Sequence, residues 1–100
     1  MKVRLSEDGQ ADAERVDAWW REHRPASPRL FADELGFVLE LLATSPGAGE
    51  VYKNLRGREL RRTLLEKTRH YVYHYAESET VIVLAIWSTN RGHGPPLRLA

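Results

Sequence analysis

Basic side chains gather in residues 53–70, which hold seven Lys or Arg against two Glu. Arg91 and His93 stand in a later glycine-rich stretch. Guanidinium groups bind phosphate as rigid forks, and histidine titrates near neutral pH. Tyrosine rings stack on bases. Basic residues and tyrosines occur close together in the sequence, at Arg61, Arg62, Lys67, Arg69, Tyr71 and Tyr73. The pattern is compatible with nucleic-acid contact, and equally with solvated arginines on one sheet face and tyrosines packed beneath helices on the other.

Residue types and spacings that mark metal or covalent catalysis do not occur. His70 and His74 are four residues apart, which on a strand separates them by roughly 13 Å, too far to share a zinc ion. The chain has no Ser-His-Asp order, nucleophile elbow or phosphate-binding loop. Gly47-Ala48-Gly49 follows a predicted helix rather than a strand. We therefore expect no metal and no cofactor.

Large apolar side chains occur at helical positions that one buried stripe does not accommodate. Trp19 and Trp20 are adjacent, so on a helix they point about 100° apart and one of them is partly exposed. Phe37 and Leu41 lie off the stripe formed by their own helix. Exposed aromatic side chains beside apolar neighbours mark protein interfaces. We therefore expect a protein partner to cover these residues.

Length and composition indicate an ordinary single domain spanning residues 1–100. Hydrophobic residues make up 42% of the 100 and charged residues 29%, as in globular chains. The net charge of +1 divides unevenly, with −3 in residues 1–44 and +4 in residues 45–100. The absence of cysteine excludes disulfides and thiolate chemistry. We find no signal peptide and no membrane-spanning run, and expect a cytoplasmic protein.

Hydrophobic periodicity and turn residues predict the elements. Ser27 is a favourable N-cap with Pro28 at the first helical position. The predicted elements are a strand at Lys2–Ser6, a helix from Asp8 or Gly9 to His23, a helix from Pro28 to about Thr44, a loop at Pro46–Gly57, strands at Glu59–Lys67, Tyr71–Tyr75 and Val81–Trp87, and an irregular tail at Ser88–Ala100. The fold class is therefore α+β in the order β-α-α-β-β-β. The last three strands form an antiparallel meander, and the helical hairpin packs on one face.

Three groups of residues carry a resemblance to known proteins. They are Arg29–Leu35 with Ser45-Pro46-Gly47 and Tyr52, Leu60–Leu65 with Tyr71–Tyr75, and Val81–Trp87 with Asn90–Leu97. In this order they resemble the second helix with its Pro-Gly exit, the arginine and tyrosine strands, and the last strand with its Arg-Gly-x-Gly-Pro tail in toxins of the ParE/RelE superfamily. The resemblance covers roughly residues 3–97. It implies a cognate antitoxin, ParD-like or similar, and growth arrest.

The superfamily contains two mechanisms. ParE-like members poison DNA gyrase without being enzymes, whereas RelE-like members cut mRNA in the ribosome without a metal. Here only Lys53 remains of the lysine-rich loop of RelE-like ribonucleases, and the tail is short and proline-rich rather than a helix ending in tyrosine. We therefore favour the ParE-like mechanism. If the chain is instead a ribonuclease, the resemblance points to Arg61, Arg69, Arg91 and His93 as catalytic.

The resemblance also suggests two sets of binding residues. Target contact is expected from Arg58, Arg61, Arg62, Arg69, Arg91 and His93. Antitoxin contact is expected from Trp19, Trp20, Phe37 and Leu41. A disordered antitoxin segment would fold on these apolar residues, with its acidic side chains against the block from Arg61 to Arg69. A non-toxic binding or adaptor domain is a third reading of the same sequence.

Overall fold

The computed structural model describes all residues, Met1–Ala100, and contains two helices and five strands. Their bounds are β1 Lys2–Leu5, α1 Glu7–His23, α2 Leu30–Thr44, β2 Glu50–Leu55, β3 Arg58–Leu65, β4 His70–Glu77 and β5 Thr80–Ser88. The predicted α+β class and element order are confirmed, with β2 as one further strand.

The five strands form one sheet in the order β1-β5-β4-β3-β2. The predicted antiparallel meander of the last three strands, β3 to β5, is confirmed; β2 adds a fourth strand to it, and β1 pairs with β5 in parallel. Residues Val81–Ile86 of β5 are all buried, which agrees with the prediction of a strand covered on both faces. The register of β4 and β5 shifts between Tyr73 and His74, where a bulge interrupts the pairing.

Two apolar clusters lie on opposite faces of the sheet. The helix-side cluster contains Val16 of α1, Phe31 and Leu42 of α2, and Val72 and Ile86 of the sheet. The second cluster contains four buried side chains and is covered by two leucines of the C-terminal tail. Its members are Leu60, Tyr75, Ile82 and Leu84, under Leu97 and Leu99. The tail therefore covers the face that the helices leave open.

The tyrosines of β4 lie on the tail side of the sheet. Tyr75 belongs to the second cluster, whereas Val72 belongs to the helix-side cluster. Side chains alternate along a strand, so Tyr71 and Tyr73 share the face of Tyr75. The alternative in which these tyrosines pack beneath the helices is therefore wrong. The helix side of β4 is instead filled by smaller residues that accommodate the helices.

Helix α1 is attached closely to β5. Ser6 caps it by accepting a hydrogen bond from the Gly9 N–H at 3.1 Å. The Asp12 carboxylate accepts a hydrogen bond from the Ile86 N–H at 3.0 Å. A Cβ at Gly9 would lie 2.5 Å from the Val83 carbonyl oxygen. This first turn therefore requires glycine at position 9.

The predicted start of α2 is wrong. The helix begins at Leu30 after Arg29, and no side chain caps it. The Ser27 carbonyl accepts a hydrogen bond from the Leu30 N–H at 3.2 Å instead. Pro28 and Arg29 therefore form the turn that joins the two helices, which leaves them outside the helix. The predicted buried stripe of α2 is confirmed at Phe31, Leu35, Val38 and Leu42.

The predicted loop Pro46–Gly57 contains the edge strand β2. Gly49, with φ of +84°, brings the chain against β3, and a Cβ there would lie 2.4 Å from the Arg62 carbonyl oxygen. Arg56 and Gly57 form the hairpin turn with positive φ, and the Asn54 side chain accepts a hydrogen bond from the Gly57 N–H. Most β2 side chains are exposed, so the strand lacks the apolar alternation on which the prediction relied.

Candidate functional site

A small open groove lies on the tail side of the sheet, where the chain leaves β5. Its volume is about 250 Å³. We call it the arginine–aromatic groove. The side chains that matter most for its chemistry are Arg62, Tyr71, Tyr73, Trp87, Arg91 and His93. Tyr52 of β2 also lines the groove, so four neighbouring strands and the tail contribute to one site.

Arg62 of β3 is fixed against the aromatic wall of the groove. Its guanidinium carbon lies 4.0 Å from the Tyr71 ring centre and 5.2 Å from that of Tyr52. Its Nε donates a hydrogen bond to Glu50 at 2.7 Å. Burial alone would lower the pKa of Arg62, but hydrogen bonding to Tyr73 and Glu50 outweighs it, so the pKa lies above its usual range. Arg62 is therefore a permanently charged and well-oriented group.

Tyr73 forms the floor of the groove and is only 2% exposed. Its ring meets Tyr52 edge to face, with ring centres 4.9 Å apart. Burial raises the pKa of Tyr73, and the neighbouring Arg62 offsets this only in part. The phenol therefore stays protonated at neutral pH, where it can donate a hydrogen bond but is a weak general base.

Arg91 is the exposed cation of the groove. Its guanidinium carbon lies 4.1 Å from the Trp87 ring centre, and no carboxylate pairs with it. The Trp87 indole N–H donates a hydrogen bond to the His93 carbonyl at 2.8 Å, which fixes the turn of the tail. The Arg91 fork is therefore oriented by an aromatic ring and free to bind an anion.

The structure gathers only part of the predicted target-contact set. Arg62, Arg91 and His93 share the groove, and Arg69 lines a neighbouring cleft that Arg91 also borders. Arg58 lies outside both and pairs with Glu77 at 2.9 Å.

Arg61 also lies outside the groove. Alternation along β3 places it on the helix side of the sheet, with Thr63 and Leu65. There it pairs with Glu59 at 2.9 Å and donates a hydrogen bond to the Gly49 carbonyl at 3.3 Å. Arg61 and Arg62 therefore face opposite sides of the sheet, although they are adjacent in sequence.

Sequence reasoning missed Tyr52 and Trp87 as site residues. The sequence pattern places Tyr52 in a predicted loop and Trp87 at the end of a predicted buried strand. In the structure Gly94 passes close to Tyr52, and a Cβ at Gly94 would lie 2.6 Å from the Tyr52 hydroxyl. No sequence pattern connects these two residues.

Of the four residues predicted to contact an antitoxin, three are exposed on the helices. Phe37 is 70% exposed, Trp19 43% and Leu41 36%. Trp20 is half-buried and packs against the helix-side cluster. The prediction that one of the two tryptophans faces the core and the other is exposed is confirmed. Phe37 and Leu41, one helical turn apart, leave an apolar strip on the outer face of α2.

The two histidines of β4 have separate roles. His74 is fully buried on the helix side, and its Nε2 lies 2.8 Å from the Thr63 hydroxyl. Burial, with a smaller effect from Arg61, lowers the pKa of His74 to about 4. His70 Nδ1 lies 2.9 Å from the Thr68 carbonyl. No three His, Asp or Glu side chains are brought together as metal ligands would be.

No helix has both the length and the apolarity that crossing a membrane requires.

Comparison with solved structures agrees with the fold, whereas no curated protein matches the chain. Among solved structures, the chain is similar to one described as the chromosomal ParDE TA system from P. aeruginosa, with a TM-score of 0.62 and 15% sequence identity. The match covers 88% of this chain and 95% of that one, and at this identity it shows a shared fold.

The family assignment rests on a sequence comparison. A family model described as the ParE toxin of the type II toxin-antitoxin system parDE matches residues 3–92. The match includes both helices and all five strands, and it ends inside the arginine–aromatic groove. It confirms the resemblance carried by the helix and strand segments, and it covers only Asn90–Gly92 of the tail segment. The chain therefore belongs to the ParE toxin family of type II toxin–antitoxin systems.

Proposed function

We propose that this toxin acts in the cytoplasm by inhibiting DNA gyrase, which arrests growth, and that a cognate antitoxin neutralises it by wrapping its helices. Membership of the ParE family supports the toxin role. The choice of contact surface rests on one observation: the exposed Arg91 guanidinium is oriented by Trp87 and has no carboxylate partner. An oriented, unpaired cation at the rim of a groove is suited to holding an acidic or phosphate group of a target.

The geometry supports a binding role over metal-free RNA cleavage. Such cleavage needs a base for the 2′-hydroxyl, an acid for the leaving oxygen and cations on one phosphate. Of the four residues expected for this task, only Arg91 and His93 line the groove. Arg61 lies on the helix side of the sheet. Tyr73, the phenol in the groove floor, has a raised pKa. RelE-like mRNA cleavage is therefore the outcome that the experiment below must exclude.

The experiment is DNA supercoiling by purified gyrase with and without the antitoxin-free protein. We expect loss of supercoiling and accumulation of cleaved DNA. Replacement of Arg91 by Gln should weaken inhibition by about tenfold, the usual effect of losing one charge-assisted contact of about 1.4 kcal/mol. Arg21→Gln is the matched control, because Arg21 lies on α1 and pairs only with Asp17.

Three results would contradict the proposal. Full supercoiling at micromolar protein would exclude gyrase as the target. Cleavage of mRNA in a translating extract by the same preparation would identify the RelE-like mechanism. Absence of growth arrest when the protein is expressed without its antitoxin would identify a non-toxic binding domain.

The antitoxin surface is proposed from exposure and charge. The strip of Phe37 and Leu41 with Trp19 offers apolar anchors of the kind that a folding segment buries. Arg61 and Arg62 lie on opposite faces and already pair with Glu59 and Glu50, so acidic antitoxin side chains would pair with Lys67 and Arg69, which have no carboxylate partner. A ParD-like partner whose C-terminal segment is apolar and acidic fits both features.

Co-purification tests this surface. Phe37→Asp should remove the antitoxin from the complex, because it places a carboxylate in an apolar contact without disturbing the core. Val51→Asp is a matched control, since Val51 is 56% exposed on the edge strand β2. Equal retention of antitoxin by both variants would overturn the proposed surface. Trp20→Asp is a poor test, because Trp20 packs against the helix-side cluster.

A further inference from the structure

A second concavity, the α1 cleft, lies between the C-terminal half of α1 and the ends of β3, β4 and β5. Its volume is about 590 Å³, within the range of ligand sites. Its lining contains five basic side chains and no acidic one. They are Arg15, Arg24, Lys67, Arg69 and Arg91. The whole chain has a net charge of only +1, so the cleft concentrates positive charge that the rest of the protein cancels.

Most of these cations have no partner. Only Arg15 forms an ion pair, with Asp12 at 2.7 Å. Glu34 lies beside the cleft, but its carboxylate accepts hydrogen bonds from the Lys67 and Thr68 N–H groups and from the Thr68 hydroxyl. Unpaired cations grouped in a concavity create a strong local potential for anions.

Aromatic rings orient the guanidinium groups at both ends of the cleft. Arg24 lies 5.0 Å from the Trp19 ring centre and 5.8 Å from that of Trp20. Arg91 lies 4.1 Å from the Trp87 ring centre at the other end. A guanidinium held over a ring keeps its N–H edge free, and that edge binds phosphate oxygens in pairs.

The α1 cleft and the arginine–aromatic groove adjoin at the end of β5, where the helix side of the sheet meets the tail side. Ser88 and Arg91 line both. Together they form a basic path from Arg24, past Arg69 and Arg91, to Arg62 against Tyr71. Alternation of cations with aromatic rings is the chemistry of single-strand binding, in which cations hold the phosphates and rings stack on the bases.

We propose that this path binds single-stranded nucleic acid, with Lys67, Arg69 and Arg91 on successive phosphates. The concave shape favours a single strand over a duplex, whose phosphates lie on a convex cylinder. Trp19 is already stacked on His23 and lies under Arg24, so base stacking is left to the partly exposed rings of Tyr71 and Trp87. These rings favour nucleotides over an acidic peptide, because a carboxylate side chain has no base to stack. The proposal concerns the free toxin; it shares Arg91 with the proposed gyrase contact, but its test does not require gyrase.

Fluorescence anisotropy with labelled dT12 and the purified, antitoxin-free protein tests the proposal without gyrase in the reaction. Each phosphate neutralised on a single strand contributes about −0.7 to the slope of log K against log salt, so three contacts predict a slope of about −2. Arg69→Gln and Arg91→Gln should each weaken binding by roughly three- to tenfold and reduce the slope by about 0.7. Arg21→Gln, which changes the charge equally outside the cleft, should leave both values unchanged.

Competition experiments identify the ligand class. Unlabelled dT12 or rU12 should displace the probe well below the concentration needed for a 12-base-pair duplex. Displacement by a glutamate-rich peptide at equal or lower concentration would overturn the proposal and assign the cleft to an acidic protein segment. No binding of dT12 in 50 mM salt, or equal weakening by Arg69→Gln and Arg21→Gln, would also overturn it. Failure of gyrase inhibition with intact dT12 binding would refute the proposed function alone.

Discussion

Substitution of Gly9 by alanine tests the contact between α1 and β5. Both Gly9 and Gly36 lie within helices, where alanine is preferred to glycine by up to about 1 kcal/mol. A Cβ at Gly9 would lie 2.5 Å from the Val83 carbonyl oxygen and 3.2 Å from its carbon, whereas a Cβ at Gly36 meets nothing within 4 Å. The same substitution is therefore expected to have opposite effects at the two positions.

The magnitude at Gly9 follows from what the new methyl group meets. The obstacle is backbone, which cannot rotate away as a side chain can. The Val83 carbonyl also accepts a hydrogen bond from the Ser6 N–H at 2.9 Å, so moving α1 outward weakens its N-terminal attachment. Overpacking of this kind costs about 1–3 kcal/mol. The upper part of that range, less the gain in helix propensity, gives a net loss of about 2 kcal/mol.

Urea unfolding of both variants measures the effect. We expect Gly9→Ala to lower the free energy of unfolding by about 2 kcal/mol and the melting temperature by roughly 10 °C. Gly36→Ala should raise the free energy of unfolding by about 0.5–1 kcal/mol. If Gly9→Ala is as stable as Gly36→Ala, α1 does not approach β5 as closely as described, and the placement of the helix is refuted.

Two further predictions concern buried polar groups. His74 has a pKa of about 4 in the folded chain, against 6.5 in the unfolded chain. Between these two pH values the unfolded chain binds a proton that the folded chain does not, so the free energy of unfolding falls as the pH is lowered. Urea unfolding should show a loss of about 2 kcal/mol between pH 7 and pH 5, and His74→Gln should show a smaller one; a flat profile would contradict the burial of a neutral imidazole. Asp12→Ala should lower the free energy of unfolding by about 1–3 kcal/mol because the Ile86 N–H loses its acceptor. Asp12→Asn, which retains an acceptor oxygen, should lose less, and equal loss in the two variants would assign the effect to charge.

The fold was predictable where hydrophobic pattern and turn chemistry agree. Val81–Trp87 reads as a buried strand because it is apolar throughout, and the stripe from Phe31 to Leu42 has helical spacing. The start of α2 was not predictable from a cap residue alone, because Ser27 and Pro28 serve equally well in a turn. The edge strand β2 was missed because its exposed side chains carry no alternation.

The candidate site was only partly predictable for a different reason. Sequence proximity suggests that Arg61 and Arg62 act together, but the strand period of two places them on opposite faces of the sheet. Conversely, Arg24 and Arg91 are distant in sequence and border the same cleft. Such pairings depend on the docking of α1 against the end of β5, which short-range patterns do not specify.

Gyrase inhibition through Arg91 is tested by the amount of cleaved plasmid DNA that purified gyrase forms at increasing concentrations of the free toxin, for the wild type, Arg91→Gln and Arg21→Gln. We expect cleaved DNA to increase with the wild type and with Arg21→Gln, and the response of Arg91→Gln to shift to about tenfold higher concentration. Fully supercoiled DNA with all three proteins at micromolar concentration would contradict gyrase inhibition. Identical responses from Arg91→Gln and the wild type would contradict the role assigned to the arginine–aromatic groove.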